Sequence, residues 1–501
     1  MFLVKLLNKY SDFLVWVIII VFSVIYAFMT VNNFRLFETQ GWDLAVFDQG
    51  IWQWSRFEFP YSSFHSLPWL ADHFHLILIT LAPLYWIWSD ARVLLISQAF
   101  LVSLGAFPLY LLSKKVTKNN LFGLSLVFGY LLYFSLQWHI FSEFHELTFL
   151  PVTLGGLMYF WETKKWKWYW VFLFLTLLVK EEIGLLIAAF AIWEIIVGKK
   201  VRRIGVVTLI IGLAAFYILV YKVMPAIGNQ PYRHLGYGTF GNTPDEVFVN
   251  ILKNPLILIK AFTDSPVKIN TILTNFWPWA FLPLLSPATL IPIFQQYAIR
   301  FLDYVKVIRW TPYFAYSLPI ATLTAWGSIY GYKNLEKIIK KRAKKHISLV
   351  SVLLPITILA LTCSEQILLH APINSLFKRA FYRNEKWMDD NRKILSCVPD
   401  KVSLSAQNSL AAHLSQRKEI NVFPEGLTRG YEYIAVDLHN GQDENNFYFF
   451  GSGKTKYVIN DLIERGYYKV ICREGEAYVL KKAKDTAGKL NYPFPLDIYE
   501  H

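Results

Sequence analysis

Long apolar runs alternate along this chain with short polar loops, a pattern typical of a protein that crosses a membrane repeatedly. The first run covers residues 11–29, and later runs recur as far as residue 362. A transmembrane helix needs about 20 apolar residues, so the runs predict about eleven spans in a mainly α-helical, polytopic fold. The predicted spans cover residues 11–29, 94–112, 121–137, 149–161, 168–179, 183–197, 204–223, 276–285, 288–299, 312–330 and 349–362.

Lysine and arginine residues give the orientation of these spans. They concentrate in loops such as 113–120, 162–167, 198–203 and 333–346. The positive-inside rule places such loops in the cytoplasm. The N-terminus is then cytoplasmic, and everything after Cys363 lies outside.

Two long segments, 32–92 and 224–268, become outer loops in this topology. The first outer loop contains two predicted juxtamembrane helices, over residues 42–55 and 77–88. The second of these helices is too short to be a span, so we expect it to lie at the membrane interface.

The composition supports a membrane protein and limits its partners. Hydrophobic residues make up 54% of the 501 positions. The formal net charge of +14 would suit a nucleic-acid partner only if the basic residues formed one surface, and here they lie between spans. We therefore expect contact with the lipid bilayer and no nucleic acid. Three cysteines allow at most one disulfide bond.

After the last span the pattern changes to short stretches of mixed polar and apolar residues. "KVSLSA", "YIAVDL" and "GYYKVICREGEAYVLKK" predict strands, the last as a hairpin, and "KYVINDLIERG" predicts a helix that ends at a glycine. We divide the chain into a transmembrane domain (1–363), a linker (364–382) and an extracytoplasmic α/β domain (383–501). In the α/β domain, His413 and Arg417 lie at i, i+4, which predicts either an anion-contacting helix or a solvated surface helix.

Acidic residues and histidines concentrate on the outer side of the predicted topology. All six histidines that precede residue 333 fall there. Such a collection at one mouth of a membrane scaffold is expected of an active site or a substrate pathway. The candidate catalytic residues are Asp43 and Asp48, and the candidate substrate-binding residues are His73, His75, Glu143, His145, Lys180, Glu181, Glu182, Arg233 and Tyr313.

Several of these candidates also have a structural interpretation. Asp43 stands at a predicted helix start and could cap the helix, whereas Asp48 lies inside it. His73 and His75 could be metal ligands, although two histidines at this spacing are a weak signal. Glu143 and His145 could face a substrate or could be polar residues at the membrane interface.

The segment "LLVKEEIGLL" places three charges between apolar residues. Each charge costs about 2.5 to 3.5 kcal/mol at the centre of a transmembrane helix and less near the interface. Lys180 could offset part of that cost by pairing with Glu181 or Glu182. Alternatively, the charges could position an anionic group of a substrate.

Several segments, in this order, resemble an uncharacterised family of multi-span prokaryotic membrane proteins that is grouped with the GT-C glycosyltransferases. They are "DLAVFDQGIW", "APLYWIW", "LISQAFLVSLGAFPLYLLSKK", "FHE", "KEEIGLL", "FLPLLSP" and "SAQNSLAAHLSQRKEINVFP" leading into "YIAVDL". The resemblance covers most of the chain and is weakest between residues 226 and 275. Glu146 stands where proline is usual in the family, so no role is carried over to it.

The resemblance implies a membrane glycosyltransferase with its site on the outer face. GT-C enzymes use a carboxylate in the first outer loop and typically a sugar on a polyprenyl phosphate as donor. By position Asp43 matches that carboxylate, with Asp48 as the reserve. A divalent cation such as Mg²⁺ or Mn²⁺ could be held by Asp48 and His73. The acceptor would be a glycan, a lipid or a protein.

Two other functions fit the same pattern. A transporter or flippase for a lipid-linked saccharide would use the charges at residues 180–182 as a coupling site, but it predicts polar residues that continue through the spans. A non-catalytic scaffold would use the outer domain to bind a partner, with the acidic residues serving only as helix caps.

Overall fold

The structure is a computed structural model that describes residues 2–234, 240–241, 243–342, 346–448 and 450–484. Residues 485–501, which the sequence assigns to the outer α/β domain, lie outside the described residues, as does part of the second outer loop. The division of the chain into domains stays a prediction.

Most of the predicted spans are helical. Four of the described helices are long and apolar enough to cross a membrane, and a fifth is added if one bent pair counts as a single span. The four are Lys9–Arg35, Arg92–Thr117, Arg202–Gly228 and Ile347–Leu368, and the bent pair is Asn120–Leu131 with Phe134–Ser142. Helix length and composition therefore do not confirm eleven spans.

The remaining helices of this region are shorter. Those that match the predicted spans between residues 149 and 197 have 12 to 15 residues each. The shorter helices are Leu150–Glu162, Trp166–Leu177, Ile183–Val197, Pro244–Lys253, Leu256–Thr263, Pro266–Phe276 and Leu290–Phe301. The helix Leu318–Arg342 is longer and runs through the middle of the bundle, where Trp326 packs against Trp193 with ring centroids 4.8 Å apart.

Two spans were predicted over residues 276–299, and the first of them, over residues 276–285, is wrong. The chain there forms three short 3-10 turns, Trp277–Trp279, Leu282–Leu285 and Pro287–Thr289. Each turn carries a proline, which has no N–H for a helical hydrogen bond, and Ala280 and Phe281 between the turns have positive φ. The span predicted over residues 312–330 also begins later than expected. Its helix starts at Leu318, and Pro319 lies in the first turn, where a proline is favourable.

The first outer loop folds into short elements close to the bundle. A π-helical turn, Gly41–Ala45, continues directly into the helix Val46–Trp54, so the predicted helix over residues 42–55 is confirmed. Further along, the strands β1 (Tyr61–Ser62) and β2 (Leu67–Pro68) pair antiparallel. They are followed by Trp69–Asp72, Leu76–Leu81 and Leu84–Ile87, each a single short helical segment.

The C-terminal region contains a five-stranded mixed sheet. Its strands are β3 (Leu404–Ala406), β4 (Ile420–Val422), β5 (Tyr433–Asp437), β6 (Tyr468–Glu474) and β7 (Ala477–Lys482), arranged in the order β4–β3–β5–β7–β6. β3 is parallel to β4 and β5, while β5, β7 and β6 are antiparallel neighbours. The predicted strands, the hairpin and the helix Gly451–Glu464 are confirmed, and helix Lys386–Leu395 also packs on the sheet. Cys397 and Cys472 form the single disulfide bond.

The sheet region is joined to the first outer loop by hydrogen bonds between side chains and backbone groups. Asn408 Oδ1 accepts a hydrogen bond from the Gly41 N–H at 2.8 Å. Gln49 Nε2 donates to the Arg417 carbonyl at 2.8 Å, and Ser63 Oγ donates to the Ile420 carbonyl at 2.5 Å. One continuous hydrophobic core includes residues of both regions, such as Leu44 and Ile420.

Gly331 allows the central helix to approach the turn Leu282–Leu285. A Cβ atom at this position would lie 2.0 Å from the backbone oxygen of Leu282. We expect Gly331→Ala to lower the free energy of unfolding by about 1–3 kcal/mol, because backbone must move to relieve the clash. Thermal unfolding of the full chain in detergent measures this change.

The matched control for this prediction is Gly453→Ala, on an outer helix where an added Cβ meets no atom within 4 Å. It should be neutral or should stabilise by up to about 1 kcal/mol, because alanine favours helix more than glycine does. Equal melting temperatures for the two variants would contradict the close approach at Gly331.

Candidate functional site

Glu143 fixes the turn that begins the segment Gly41–Trp54. Its Oε1 accepts a hydrogen bond from the Gln40 N–H at 2.7 Å, and its Oε2 accepts one from the Leu44 N–H at 2.8 Å. The carboxyl is buried. Burial and the nearby charge of Asp43 raise the pKa of Glu143 well above its usual value, although the two backbone N–H groups act in the opposite direction. The predicted substrate-binding residue Glu143 is therefore engaged in holding backbone.

Asp43 lies in this turn and points to accessible space. Its side chain is 45% exposed, and its Oδ1 lies 3.7 Å from Nε2 of His145. The His145 backbone N–H donates to Gln98 Oε1 at 3.0 Å, and Gln98 Nε2 donates to the Glu143 carbonyl at 2.6 Å. Gln98, which sequence reasoning missed, thus orders the segment that brings His145 to Asp43. An accessible carboxylate beside an imidazole can accept a proton.

Lys180 forms its ion pair with Glu146, whereas Glu181 and Glu182, the partners that the sequence suggested, contribute only through their nearby charge. Lys180 Nζ lies 2.8 Å from Glu146 Oε1, and both side chains are nearly fully buried. Burial alone disfavours both charges, but their mutual attraction outweighs it, so the pKa of Lys180 is raised and that of Glu146 is lowered. Glu146, to which the family resemblance gave no role, is thus the partner that keeps this lysine charged.

Glu181 is held by three groups from other parts of the chain. Its Oε1 lies 2.8 Å from His73 Nδ1 and accepts a hydrogen bond from Tyr232 Oη at 2.5 Å. Its Oε2 accepts from the Phe74 N–H at 2.8 Å. Burial acts to raise the pKa of Glu181, but the imidazole of His73 together with Lys180 and Tyr232 lowers it overall. Glu181 is therefore a buried carboxylate that links both outer loops.

Asp72 and His234 complete this group, which we call the histidine–carboxylate cluster (Asp72, His73, Glu181 and His234). His234 Nε2 lies 3.0 Å from Asp72 Oδ1, and the rings of His73 and His234 stack with centroids 4.4 Å apart. His65 Nδ1 lies 3.2 Å from Asp72 Oδ2. One ligand atom from each of Asp72, His73 and His234 lies within 4.8 Å of the others, so these three residues could hold a metal ion.

Asp48 does not belong to the histidine–carboxylate cluster, because both of its carboxylate oxygens accept hydrogen bonds from other residues. Oδ1 accepts from Tyr85 Oη at 2.6 Å and from Gln416 Nε2 at 3.2 Å, and Oδ2 accepts from Ser415 Oγ at 2.6 Å. Burial raises the pKa of Asp48 to about 6 despite these hydrogen bonds. The expectation that Asp48 and His73 share a cation is therefore corrected. Asp48 instead joins the first outer loop to the C-terminal region.

Two predictions about histidines are also corrected. His75 does not join His73, because its ring packs against Trp69 with centroids 4.2 Å apart, and neither ring nitrogen has a hydrogen-bond partner among the described residues. Burial lowers the pKa of His75 to about 4, so it is a neutral core residue. The His413 ring packs against the Phe34 ring with centroids 3.9 Å apart, and the short helix that precedes it ends at Ala411. The segment is therefore neither an anion-contacting nor a solvated helix.

The remaining predicted residues lie at the edge of this region. Arg233 is exposed and donates to Gln230 Oε1 at 3.2 Å, and Tyr313 packs against Trp138 with ring centroids 5.1 Å apart. Glu182 lies close enough to Lys180 to contribute to its raised pKa. Sequence reasoning missed Lys306, whose pKa is lowered by burial and by Arg309, and which also interacts with Asp72 and Lys180.

Comparison with known proteins assigns the chain to a family. Residues 33–462 match the family described as predicted membrane protein (DUF2079). The chain belongs to that family. No curated protein sequence matches the chain.

Solved structures share the fold at low sequence identity. ArnT from Cupriavidus metallidurans bound to undecaprenyl phosphate superposes with a TM-score of 0.51 at 10% identity, covering 95% of this chain and 99% of that one. The apo state of the same protein gives a TM-score of 0.47 at 12% identity, covering 96% and 100%. The family match confirms the uncharacterised membrane-protein family that the sequence resemblance implied, and the chain shares its fold with the lipid-bound structure.

The buried pair of Lys180 and Glu146 gives a prediction about stability. We expect Lys180→Met to lower the free energy of unfolding by about 3–5 kcal/mol, because it leaves the Glu146 carboxylate buried without a counter-charge. The double variant Lys180→Met/Glu146→Gln should recover part of that loss. Thermal unfolding in detergent at neutral pH measures both.

The control is Lys418→Met, which removes an exposed lysine that lies 3.1 Å from Glu58. This change should cost no more than about 1 kcal/mol, as is usual for ion pairs in solvent. If Lys180→Met were as mild as Lys418→Met, the buried pair would not be ionised as described.

Proposed function

We propose that this protein is a membrane glycosyltransferase that transfers a sugar from a polyprenyl-phosphate-linked donor to an acceptor on the outer face of the membrane. The observation that carries the proposal is the half-exposed Asp43 carboxylate beside His145, in a chain that shares its fold with an undecaprenyl-phosphate-bound protein. Asp43 also stands in the first outer loop, where the sequence resemblance implies the reacting carboxylate. Because the shared fold alone does not carry a function, the proposal depends on this site.

Two features support an outer location for the site. The basic loops favour a cytoplasmic position for the opposite ends of the helices. The C-terminal region, which packs against the segment that carries Asp43, contains the disulfide between Cys397 and Cys472. Disulfide bonds persist in oxidising compartments outside the cytoplasm.

The proposed reaction is a displacement at the anomeric carbon of the donor sugar. The acceptor hydroxyl oxygen forms the new C–O bond, the C–O bond to phosphate breaks, and the phosphate leaves with the bonding electrons. Asp43 accepts the hydroxyl proton, a contribution typical of general bases at about 10²- to 10⁴-fold in rate. His145 Nε2 lies 3.7 Å from this carboxylate, close enough to stabilise its charge when the imidazole is protonated.

The departing phosphate requires positive charge, and the described residues suggest which cations provide it. Lys180 is largely neutralised by its contact with Glu146. Lys306 and Arg233 have no carboxylate within salt-bridge distance among the described residues, and Lys306 lies near the histidine–carboxylate cluster. We therefore assign the phosphate to Lys306 and Arg233 rather than to Lys180.

The experiment uses the full chain in membranes with polyprenyl-phosphate sugar donors. Asp43→Asn should lower the rate of sugar transfer by about 10²- to 10⁴-fold, because asparagine cannot accept the proton. Donor binding should remain within a few-fold of the unsubstituted protein. Transfer is followed as loss of labelled sugar from the lipid fraction.

The matched control is Asp389→Asn, an exposed aspartate on an outer helix whose carboxylate pairs with Arg392. It should transfer sugar at the unsubstituted rate. Wild-type transfer by Asp43→Asn would remove Asp43 as the base. If the protein moved the donor across the membrane without breaking the sugar–phosphate bond, it would be a flippase instead.

A further inference from the structure

We propose that Asp72, His73 and His234 form a binding site for a divalent cation of the Zn²⁺ type, which fastens the second outer loop to the first. Asp72 and His73 belong to the first outer loop, whereas His234 follows the helix Arg202–Gly228. The site is separate from Asp43 and does not require the protein to transfer sugar.

The donor set fits zinc in type and spacing. Zinc in proteins is bound by imidazole nitrogens and carboxylate oxygens at about 2.0–2.2 Å, and tetrahedral ligands are then separated by about 3.3 Å. Asp72 Oδ1 and His234 Nε2 are 3.0 Å apart, and the three ligand atoms lie within 4.8 Å of one another. The rings of His73 and His234 are stacked, so one of them must rotate to place both ligand nitrogens on one ion, which leaves a fourth position for water.

Glu181 provides a second, independent observation that points to a metal ion. Histidine ligands of metals usually donate their other ring N–H to a carboxylate, which fixes the ring and its tautomer. His73 Nδ1 lies 2.8 Å from Glu181 Oε1, and the His73 Nε2 atom has no hydrogen-bond partner among the described residues. Tyr232 and the Phe74 N–H hold the Glu181 carboxylate in turn. The ring is therefore oriented as a metal ligand would be.

The local charge also favours a cation. Asp72, Glu146 and Glu181 each interact with His73, and Lys180 and Lys306 lie close to these carboxylates. A metal ion binds neutral imidazoles and adds two positive charges between the carboxylates.

The cluster also contacts the segment that carries Asp43. Asp72 Oδ2 lies 3.2 Å from His65 Nδ1, and the His65 ring stacks on Trp42, the residue before Asp43, with centroids 6.1 Å apart. A cation here would therefore hold the second outer loop next to the proposed site. It would position the loops without touching the acceptor.

The test measures metal content of the full chain, purified in detergent without a histidine tag. The protein is stripped with EDTA, incubated with Zn²⁺, desalted and analysed by mass spectrometry for zinc. A Cys363→Ser background removes the one free thiol of the described residues, which is exposed. We expect about one zinc per chain in this background, and a melting temperature that rises with added Zn²⁺.

The variants His73→Gln and His234→Gln should each lose the bound zinc and the rise in melting temperature. Glu181→Gln, which keeps the size of the group that orients His73 but removes its charge, should weaken zinc binding about 10- to 100-fold. His370→Gln is the matched control, because His370 is exposed and remote in sequence from the cluster. It should bind zinc as the background protein does.

X-ray absorption at the zinc edge covers the case in which a variant fails to fold, because it uses the unsubstituted cluster. We expect two imidazoles and oxygen ligands at about 2.0–2.2 Å. Absence of retained zinc, a zinc shell without imidazole, or zinc content in His73→Gln and His234→Gln equal to that of the background protein would each overturn the proposal. Asp43→Asn should retain zinc, so failure of the transferase proposal would leave this result standing.

Discussion

The arrangement of the outer loops depends on one constraint: a carboxylate that is taken out of water must receive hydrogen bonds or a counter-charge. Glu143, Glu146 and Glu181 are all buried, and each is satisfied by a group from a distant part of the chain. Glu143 receives backbone N–H groups of the first outer loop, Glu146 receives Lys180, and Glu181 receives His73 and Tyr232. These pairings connect residues 40–44, 73–74 and 232 to the same end of the bundle.

The sequence indicates the cost of these charges but not their partners. The segment at residues 180–182 stands out because three charges interrupt an apolar run, and the prediction that they must be compensated is sound. Adjacent residues were the expected partners, yet Lys180 pairs with a residue that precedes it by 34 positions in the printed sequence. Pairing across helices depends on how the helices pack, which charge patterning alone does not determine. The same limit explains why Gln98, His65 and Lys306 escaped notice.

The C-terminal region shows a different limit. Alternating residues and turn signals correctly predicted four of the five described strands, including the hairpin, and one helix, because these depend on local sequence, whereas β4 was missed. Its relation to the first outer loop was not predictable. Asp48 was a candidate catalytic residue, and His413 was assigned either to an anion-contacting helix or to a solvated surface helix. The structure uses both as buried contacts, the first through Ser415 and Tyr85 and the second through Phe34. A polar residue at an interface has the same sequence signature as one at an active site, and only burial separates the two.

The acidic residues near the first outer loop differ in whether their carboxylates are accessible, and this difference limits which of them could act as a general base. A general base must reach the acceptor hydroxyl, so its carboxylate has to be open to solvent, and its position must be fixed by neighbours. Glu143 meets the second condition only, because both of its oxygens are occupied by backbone. Asp48 fails the first condition for the same reason, with three donors on its two oxygens. Asp43 meets both conditions. Glu143 fixes the Asp43 backbone turn, while the Asp43 carboxylate stays open next to His145. The buried carboxylates thus provide the rigidity that leaves one accessible carboxylate in a defined place.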